Sequence, residues 1–495
     1  YDQLMVRRWD TYWDGKFSHI FGFYGSVEDG FTAVDMMGDR KYDCPARPFG
    51  GSEEYDISPS GRYLVFSSMM DGNVASSLNN DLYLVDLAKF PFELEDITPD
   101  NKAYDNQPMF VDDETIMYLS MTNPKDESDR SVVTLYNINT KKSTRITEEI
   151  DLSFSVPMYI VDSTVYLTTD IEGKHVVVSF DYTAQHLTRE SLHVITPNGT
   201  TDSFIMYGDD IVYAFNKFDL PTELFLVDPI DVEGGVTQLT HSNDDVLRDI
   251  DGSFDEMYFT GANNDRVHAF VIFPPGYDAA SATKYPVVLY THGGPETPWT
   301  IDFHYRWNPM VIASQGYILL MVNFHGSGSY GDDFLKAIRK NWGGWPFEDL
   351  MKGMDALGAS YPKADIDNAC AMGASYGGYM MNWLNGHTDR FKCIICHDGI
   401  FDSEGSYYYM DEMYFLDTEF GYAYDENNTY YVKYNPMNSF NNYKTPQLTL
   451  HGGTDFRIDV VAGYQQFVSM QRKGLESKFV MYPEENHWVL NPLNS

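Results

Sequence analysis

Ser375, Asp455 and His487 supply the three side-chain types that acyl transfer needs, spaced 80 and 32 residues apart in this 495-residue chain. A serine hydroxyl is a poor nucleophile until a base takes its proton. His487 would be that base and would later protonate the leaving amine. Asp455 would hold the imidazole in the useful tautomer and stabilise its cation. Read singly, His487 is equally a loop histidine and Asp455 equally a turn former in a Gly-rich loop. Their order, Ser then Asp then His, is the one found when all three sit on loops that follow strands of an α/β-hydrolase sheet.

The elements that must position them are legible. Gly373-Ala374-Ser375-Tyr376-Gly377-Gly378 follows the apolar run Ala369-Cys370-Ala371-Met372. This predicts a nucleophile elbow, a sharp strand-to-helix turn that lifts one hydroxyl above the sheet edge. A helix then runs from Tyr376 through Leu384, its N-terminal amides directed at an oxyanion. Gly-rich turns of this kind also occur without chemistry, so the elbow needs its partners. Pro446 to His451 reads as a strand ending in Gly452-Gly453-Thr454-Asp455, and Ser477 to Tyr482 as a strand ending in Pro483-Glu484-Glu485-Asn486-His487. Both candidates thus fall just past strand C-termini, where open α/β sheets place their sites. Val460 to Lys473 supplies the helix between. Tyr285 to Thr291 is a buried-strand pattern followed by His292-Gly293-Gly294-Pro295, where such enzymes provide one oxyanion N–H. We assign the hole to the amides of Gly294 and Tyr376, with Gly293 as the near alternative; the other reading is a plain Gly-Pro turn.

Composition is globular, with 43% hydrophobic, 22% charged and 15% aromatic residues. The net charge of −39 describes a surface that repels nucleic acid and anionic membranes. No run of about 18 apolar residues is present, so no membrane span is expected. The four cysteines do not make a disulfide scaffold. Cys393-Ile394-Ile395-Cys396 has C-x-x-C spacing but lies in an apolar strand run, Phe391 to His397, without a second pair, so neither a redox nor a metal role is expected. Asn198-Gly199-Thr200 and Asn427-Asn428-Thr429 are glycosylation sequons, relevant only to a secreted chain. The chain opens at Tyr1-Asp2-Gln3, which suggests a processed form or a segment of something longer.

The first half repeats at roughly fifty residues, a spacing typical of propeller blades. Short alternating strands and polar turns recur from Tyr55, Gln107, Val156 and Phe204, with partial signals before Tyr55 and from Val246 to Phe259. One blade cannot bury both its faces, so blades must stack. Four to five blades are visible, fewer than closure usually needs, which points to a propeller truncated on its N-terminal side; an all-β sandwich is the alternative. Near Arg266 the pattern changes to strands (Val267 to Ile272, Tyr285 to Tyr290, Ile318 to Asn323) alternating with helices (Asp333 to Lys340, Pro346 to Leu357, Gly377 to Asn385). That alternation means a mostly parallel sheet wrapped by helices. The expected architecture is a β-propeller over residues 1–260 followed by an α/β-hydrolase catalytic domain over 261–495.

The chain resembles the prolyl oligopeptidase family of serine peptidases, and within it the dipeptidyl peptidase V and acylaminoacyl-peptidase-like branch. The residues that carry this are Arg7-Arg8-Trp9-Asp10-Thr11-Tyr12, His292-Gly293-Gly294-Pro295, Asn323 to Gly331, Asn341 to Leu350, Gly373 to Gly378, His397-Asp398-Gly399 and Glu485 to Leu490. The resemblance covers nearly all of 260–495 and is looser over the propeller. It implies a peptidase for short peptides, screened from folded proteins by the propeller, without metal or cofactor. It implies release of N-terminal dipeptides with alanine or a hydrophobic residue second. It matches Ser375, Asp455 and His487 to the family triad, and Tyr376 and the His292-Gly293-Gly294 loop to its oxyanion site. Arg457 matches a position that holds a substrate carbonyl, a task suited to a guanidinium, though a surface salt bridge is as compatible with an arginine there. Tyr407, Tyr414 and Phe415 fall where the family builds its apolar side-chain pocket, a placement that ordinary core packing would also explain. The family's propeller extends further on its N-terminal side than this chain does, so residues gripping a substrate amino terminus would lie outside it. Acylaminoacyl-peptidase, oligopeptidase or esterase activity, or a vestigial binding scaffold, remain the alternatives. Secretion is favoured over the cytoplasm by the family's fungal and bacterial members, and a homodimer is left open.

Overall fold

The computed structural model describes residues 4–47, 49–70, 72, 74–232, 235–247 and 252–495. The opening Tyr1-Asp2-Gln3 and part of the signal read from Val246 to Phe259 lie outside them. Two compact units are present. One takes the chain up to Val6 with Tyr12–Thr169 and Val177–Ile195; the other takes Arg7–Thr11, Asp170–Val176 and Thr196–Ser495.

In the first unit the repeat folds as propeller blades. Tyr55–Ile57, Tyr63–Ser68, Asp81–Asp86 and Leu94–Asp96 form one four-stranded antiparallel sheet, and Asp105–Phe110, Thr115–Ser120, Val132–Asn137 and Lys142–Arg145 form the next. Strand alternation explains why they must stack. Leu82 and Leu84 point to one face with Ile116, Tyr118 and Tyr136 of the following sheet. Tyr83 and Val85 point to the other, with Met36, Met37 and Phe66. Both faces are apolar, so neither sheet is stable alone. Phe154–Val161, Thr164–Asp170, His175–Asp181 and His193–Val194 continue the pattern. A hairpin, Phe21–Ser26 with Gly30–Asp35, accounts for the signal before Tyr55.

The second unit contains one more antiparallel set, Thr200–Tyr207, Asp210–Lys217, Leu220–Val227 and Thr237–Gln238, and then the catalytic sheet. Its strands are β1 (Ser253–Thr260), β2 (Arg266–Phe273), β3 (Tyr285–Thr291), β4 (Ile318–Asn323), β5 (Ala364–Ala374), β6 (Cys393–His397), β7 (Gln447–Gly452) and β8 (Ser477–Tyr482), in the spatial order β1-β2-β4-β3-β5-β6-β7-β8. From β4 to β8 neighbours run parallel; β1 and β2 are antiparallel. β1 corrects one expectation. Read as part of a partial blade, Ser253–Thr260 instead pairs along its whole length with β2. The reason is burial: β2 is covered almost completely and needs a partner on its outer edge.

The run Val287-Val288-Leu289-Tyr290 in β3 shows why a parallel sheet reads as continuously apolar. Val287 and Leu289 join one core with Trp342, Leu350, Met354 and Leu357. Val288 and Tyr290 join another with Phe218, Phe270, Ile301 and Leu319. Leu350, Met354 and Leu357 lie on one stripe of α1 (Trp345–Ser360). α2 (Tyr376–His387) is buried along nearly all its length, and α3 (Val461–Lys473) covers β7 and β8. The helix expected from Asp333 to Lys340 is shorter, Asp332–Lys336. Past Lys336 the amides turn to carbonyls three residues back, Arg339 to Lys336 O and Asn341 to Ile338 O, and Lys340 takes φ 60° with its amide on Glu419 O. The cysteines also depart from expectation: Cys370 in β5 is disulfide-bonded to its register partner Cys393 in β6, while Cys396 is free and buried.

Candidate active site

Ser375 stands between β5 and α2 with φ 59° and ψ −119°, a conformation that side chains rarely adopt. Such strain persists only where the surroundings over-determine it. Here the Ser375 amide donates to His397 O at 3.1 Å and to Asp398 Oδ1 at 2.8 Å, while its carbonyl accepts the Tyr379 amide of α2. The turn also needs glycine at 377, because a Cβ there would lie 2.3 Å from the carbonyl oxygen of Thr291.

The three residues singled out by type and order meet at this rim. His487 Nε2 lies 2.9 Å from Ser375 Oγ, and its Nδ1 lies 2.7 Å from Asp455 Oδ2. A carboxylate only accepts, so Nδ1 carries the proton and Nε2 is the free base aimed at the hydroxyl. Asp455 Oδ1 accepts the Ile458 amide at 2.9 Å, and the neighbouring His451 is anchored by its Nε2 to Ile458 O at 2.7 Å. The His487 loop is tied down by Glu485 O, which accepts both the amide and the hydroxyl of Thr454. Burial lowers the His487 pKa below its usual value, with Asp398 opposing and Arg457 assisting. Burial raises Asp455, against the pull of His451 and the Ile458 amide.

The His292-Gly293-Gly294 loop closes over the elbow. Gly293 packs so near that a Cβ on it would lie 3.1 Å from Ser375 Cβ and 3.7 Å from Oγ. His292 Nδ1 donates to Gly293 O at 2.7 Å, leaving Nε2 to accept from Ser327 Oγ at 2.8 Å. Burial takes its pKa down to about 4, so it stays neutral and serves as a rigid brace stacked on Phe324. Tyr376 is the first residue of α2, so its amide is among those a helix leaves without an internal acceptor. Its ring packs against Trp342 and its hydroxyl donates to Trp342 O.

The other expected residues lie as follows. Arg457 is held by Asp411 at 2.9 Å and by Glu412 at 2.8 Å, with its guanidinium 5.3 Å from the Trp9 ring. Tyr414 donates its hydroxyl to Glu412 Oε1. Tyr407 meets Tyr424 and Tyr431, and Phe415 meets Trp342, both against the catalytic unit's core. Two residues at the site were not assigned from the sequence. Trp9 is buried, with its ring centroid 5.7 Å from that of His487 and 4.4 Å from that of Trp488. Asp398, at the end of β6, adds a second buried carboxylate beside the base, 3.5 Å from His487 Nδ1. Both belong to stretches that carried the family resemblance, so their motifs were visible although their roles were not. Among the described residues, metal-ligand side chains gather only in Asp398, Asp455 and His487, and there His487 Nδ1 and Asp455 Oδ2 are already bonded to each other.

The model of the "Prolyl oligopeptidase family" matches residues 303–495. A protein named probable dipeptidyl-peptidase 5 from Emericella nidulans is 31% identical over all of this chain and 71% of its own length. One named dipeptidyl-peptidase 4 from Giardia intestinalis is 29% identical over all of this chain and 73% of its own. Among solved structures, Pyrococcus horikoshii acylaminoacyl peptidase superposes with a TM-score of 0.75 at 23% identity, covering 88% of this chain and 66% of that one, a likeness of fold. A propeller, a mostly parallel catalytic sheet with a serine elbow, and similarity over the whole of this chain to proteins named as peptidases lead to one assignment: the chain belongs to the prolyl oligopeptidase family and is a serine-type peptidase.

Proposed function

We propose that the chain hydrolyses short peptides through an acyl-enzyme on Ser375 and releases dipeptides from free N-termini, with alanine or a hydrophobic residue in second position. The observation that carries this is the unbroken hydrogen-bond path from Ser375 Oγ through His487 to Asp455. In this reading the Ser375 proton passes to His487 Nε2 as Oγ bonds to the scissile carbonyl carbon. Asp455 stabilises the imidazolium, and the amides of Gly294 and Tyr376 receive the oxyanion. His487 then returns the proton to the leaving amine, and water repeats the sequence to free the acyl group. Residues 253–495 would carry the chemistry, with Trp9 packed beside the base.

The dipeptide cut is supported by the names of the curated relatives, several of which are dipeptidyl-peptidases. Arg457 as a holder of a substrate carbonyl would have to use donors left over from Asp411 and Glu412. Acylaminoacyl-peptidase activity is the second reading, favoured by the fold neighbour that bears that name. A ladder of peptides with free and blocked N-termini, analysed for products, separates the two. Dipeptides leaving stepwise from free chains support the first reading; a single acylated residue leaving blocked chains supports the second.

A further inference from the structure

The carboxylate of Asp398 lies between the nucleophile elbow and the catalytic base. Its backbone takes φ 40° at the end of β6, and its amide is fixed to Leu450 O of β7. It is 1% exposed. Oδ1 accepts the strained Ser375 amide. Oδ2 lies 3.5 Å from His487 Nδ1, on the edge that already donates to Asp455, and 3.2 Å from His397 Nε2. Neither Asp398 Oδ2 nor His397 Nε2 has a geometrically formed hydrogen bond to any described residue, although both atoms are buried. Two such atoms facing each other across 3.2 Å are satisfied when one proton sits between them.

Resting on the serine-peptidase reading above, we propose that Asp398 is a positioning residue for the reaction: it pins the nucleophile elbow through Oδ1 and, through Oδ2, sets a second carboxylate against the His487 base, with one proton held between that oxygen and His397 Nε2.

Two buried carboxylates this close do not both ionise freely. Burial raises Asp455 to about 7 as well, but it holds two donors, the His487 Nδ1–H and the Ile458 amide, and these favour it as the ionised partner. Asp398 has one amide donor, and burial pushes its pKa up to about 7. Burial takes His397 down to about 3, so that imidazole is neutral throughout the working range. The remaining charges that act on the base or on Asp398 are Arg306, Arg457 and Asp411, with neutral His451 behind Asp455. Ionised Asp398 stabilises the imidazolium that forms as Ser375 gives up its proton; protonated Asp398 does not. Reactivity of the serine should therefore fall in two stages as pH drops: first as Asp398 takes its proton, then as His487 does.

The test follows the second-order rate of fluorophosphonate labelling at Ser375 against pH, which does not depend on the peptide substrate. The wild-type profile is expected to show two ionisations below its plateau. Asp398→Asn keeps an oxygen for the Ser375 amide but cannot ionise. It is expected to leave only the lower ionisation and to reduce the plateau rate about tenfold, the scale of one pKa unit in the base. A single ionisation in wild type, or an Asp398→Asn profile that superposes on it, would overturn the proposal. Should Asp398→Asn fail to fold, His397→Phe carries the same test. Removing the imidazole destabilises the Asp398 anion and should move the upper ionisation to higher pH; an unmoved one overturns the idea. A wild-type enzyme that never labels counts against the triad reading instead, so the two failures are distinguishable.

Discussion

The ring of Trp9 meets the imidazole of His487 edge-on, with 5.7 Å between centroids and an interplanar angle of 82°. The two residues lie at opposite ends of the chain, so the catalytic base has one wall supplied by the first ten residues. That wall is well anchored. The Trp9 amide donates to Asp411 Oδ2, its carbonyl accepts the Phe456 amide, and Arg7 pairs with Asp459 at 2.9 Å. Trp9→Ala should cost about 3 kcal/mol of stability by opening a cavity in a buried aromatic site. It should also slow labelling of Ser375, because water entering beside His487 weakens the interactions that orient it. Trp9→Phe should keep most of both. Urea unfolding and labelling rates measured on the two variants check this; an alanine variant with wild-type rates would show that the wall has no effect on the base.

The triad itself gives the sharpest loss. Ser375→Ala should abolish covalent labelling and turnover of a dipeptidyl amide. Asp455→Asn should leave the fold intact and lower kcat by about ten-thousandfold, because an amide in place of the acceptor favours the wrong imidazole tautomer. Steady-state kinetics with circular dichroism on each variant separates loss of chemistry from loss of fold.

These expectations were within reach of the sequence because the elements that carry the triad announce themselves locally. The apolar run into Gly373, the strand before Asp455 and the strand before His487 each end where the chemistry begins. Other features depend on pairings that no local pattern specifies. Ser253–Thr260 alternates like a blade strand, and only the need of β2 for an outer partner sends it to the catalytic sheet. The Cys393–Cys396 spacing drew attention to the wrong pair, since the parallel register of β5 and β6 sets Cys370 opposite Cys393. Trp9 and Asp398 reach the base through contacts 478 and 89 residues distant in sequence, which composition and periodicity do not encode.

A second His–Asp pair acts on stability. His325 Nδ1 lies 2.6 Å from Asp349 Oδ2, and His325 Nε2 lies 3.2 Å from Asp265. Asp349 also accepts the amides of Ala262 and His325, joining the segment between β1 and β2 to the start of the loop after β4. Burial alone would lower the His325 pKa, but the two carboxylates raise it overall. A raised folded-state pKa gives stability that is fully present below the unfolded value of about 6.5 and is lost as pH climbs through the folded value. His325→Gln should therefore cost about 1–3 kcal/mol near pH 6 and less at pH 8 and above. Urea midpoints at the two pH values test the sign. A penalty that grows with pH would mean the imidazole is neutral when folded.

The last expectation concerns how the elbow and the oxyanion loop hold each other. α2 approaches the end of β3 so closely at Gly377 that an added Cβ would sit 2.3 Å from Thr291 O and 2.9 Å from His292 O. Both of those atoms are backbone and cannot swing aside as a flexible side-chain tip could. Gly377→Ala must therefore push α2 away from the His292-Gly293-Gly294 segment or push that segment outward, at a cost of about 1–3 kcal/mol, as for other overpacked sites. Either shift lengthens the gap between the Tyr376 and Gly294 amides, the two donors proposed for the oxyanion. A donor set displaced by a few tenths of an ångström binds the ground-state peptide nearly as well but stabilises the tetrahedral oxyanion less. The expected signature is a lower kcat at nearly constant KM, with a reduced Tm. A variant that loses stability while keeping kcat would show that the oxyanion donors do not depend on this contact.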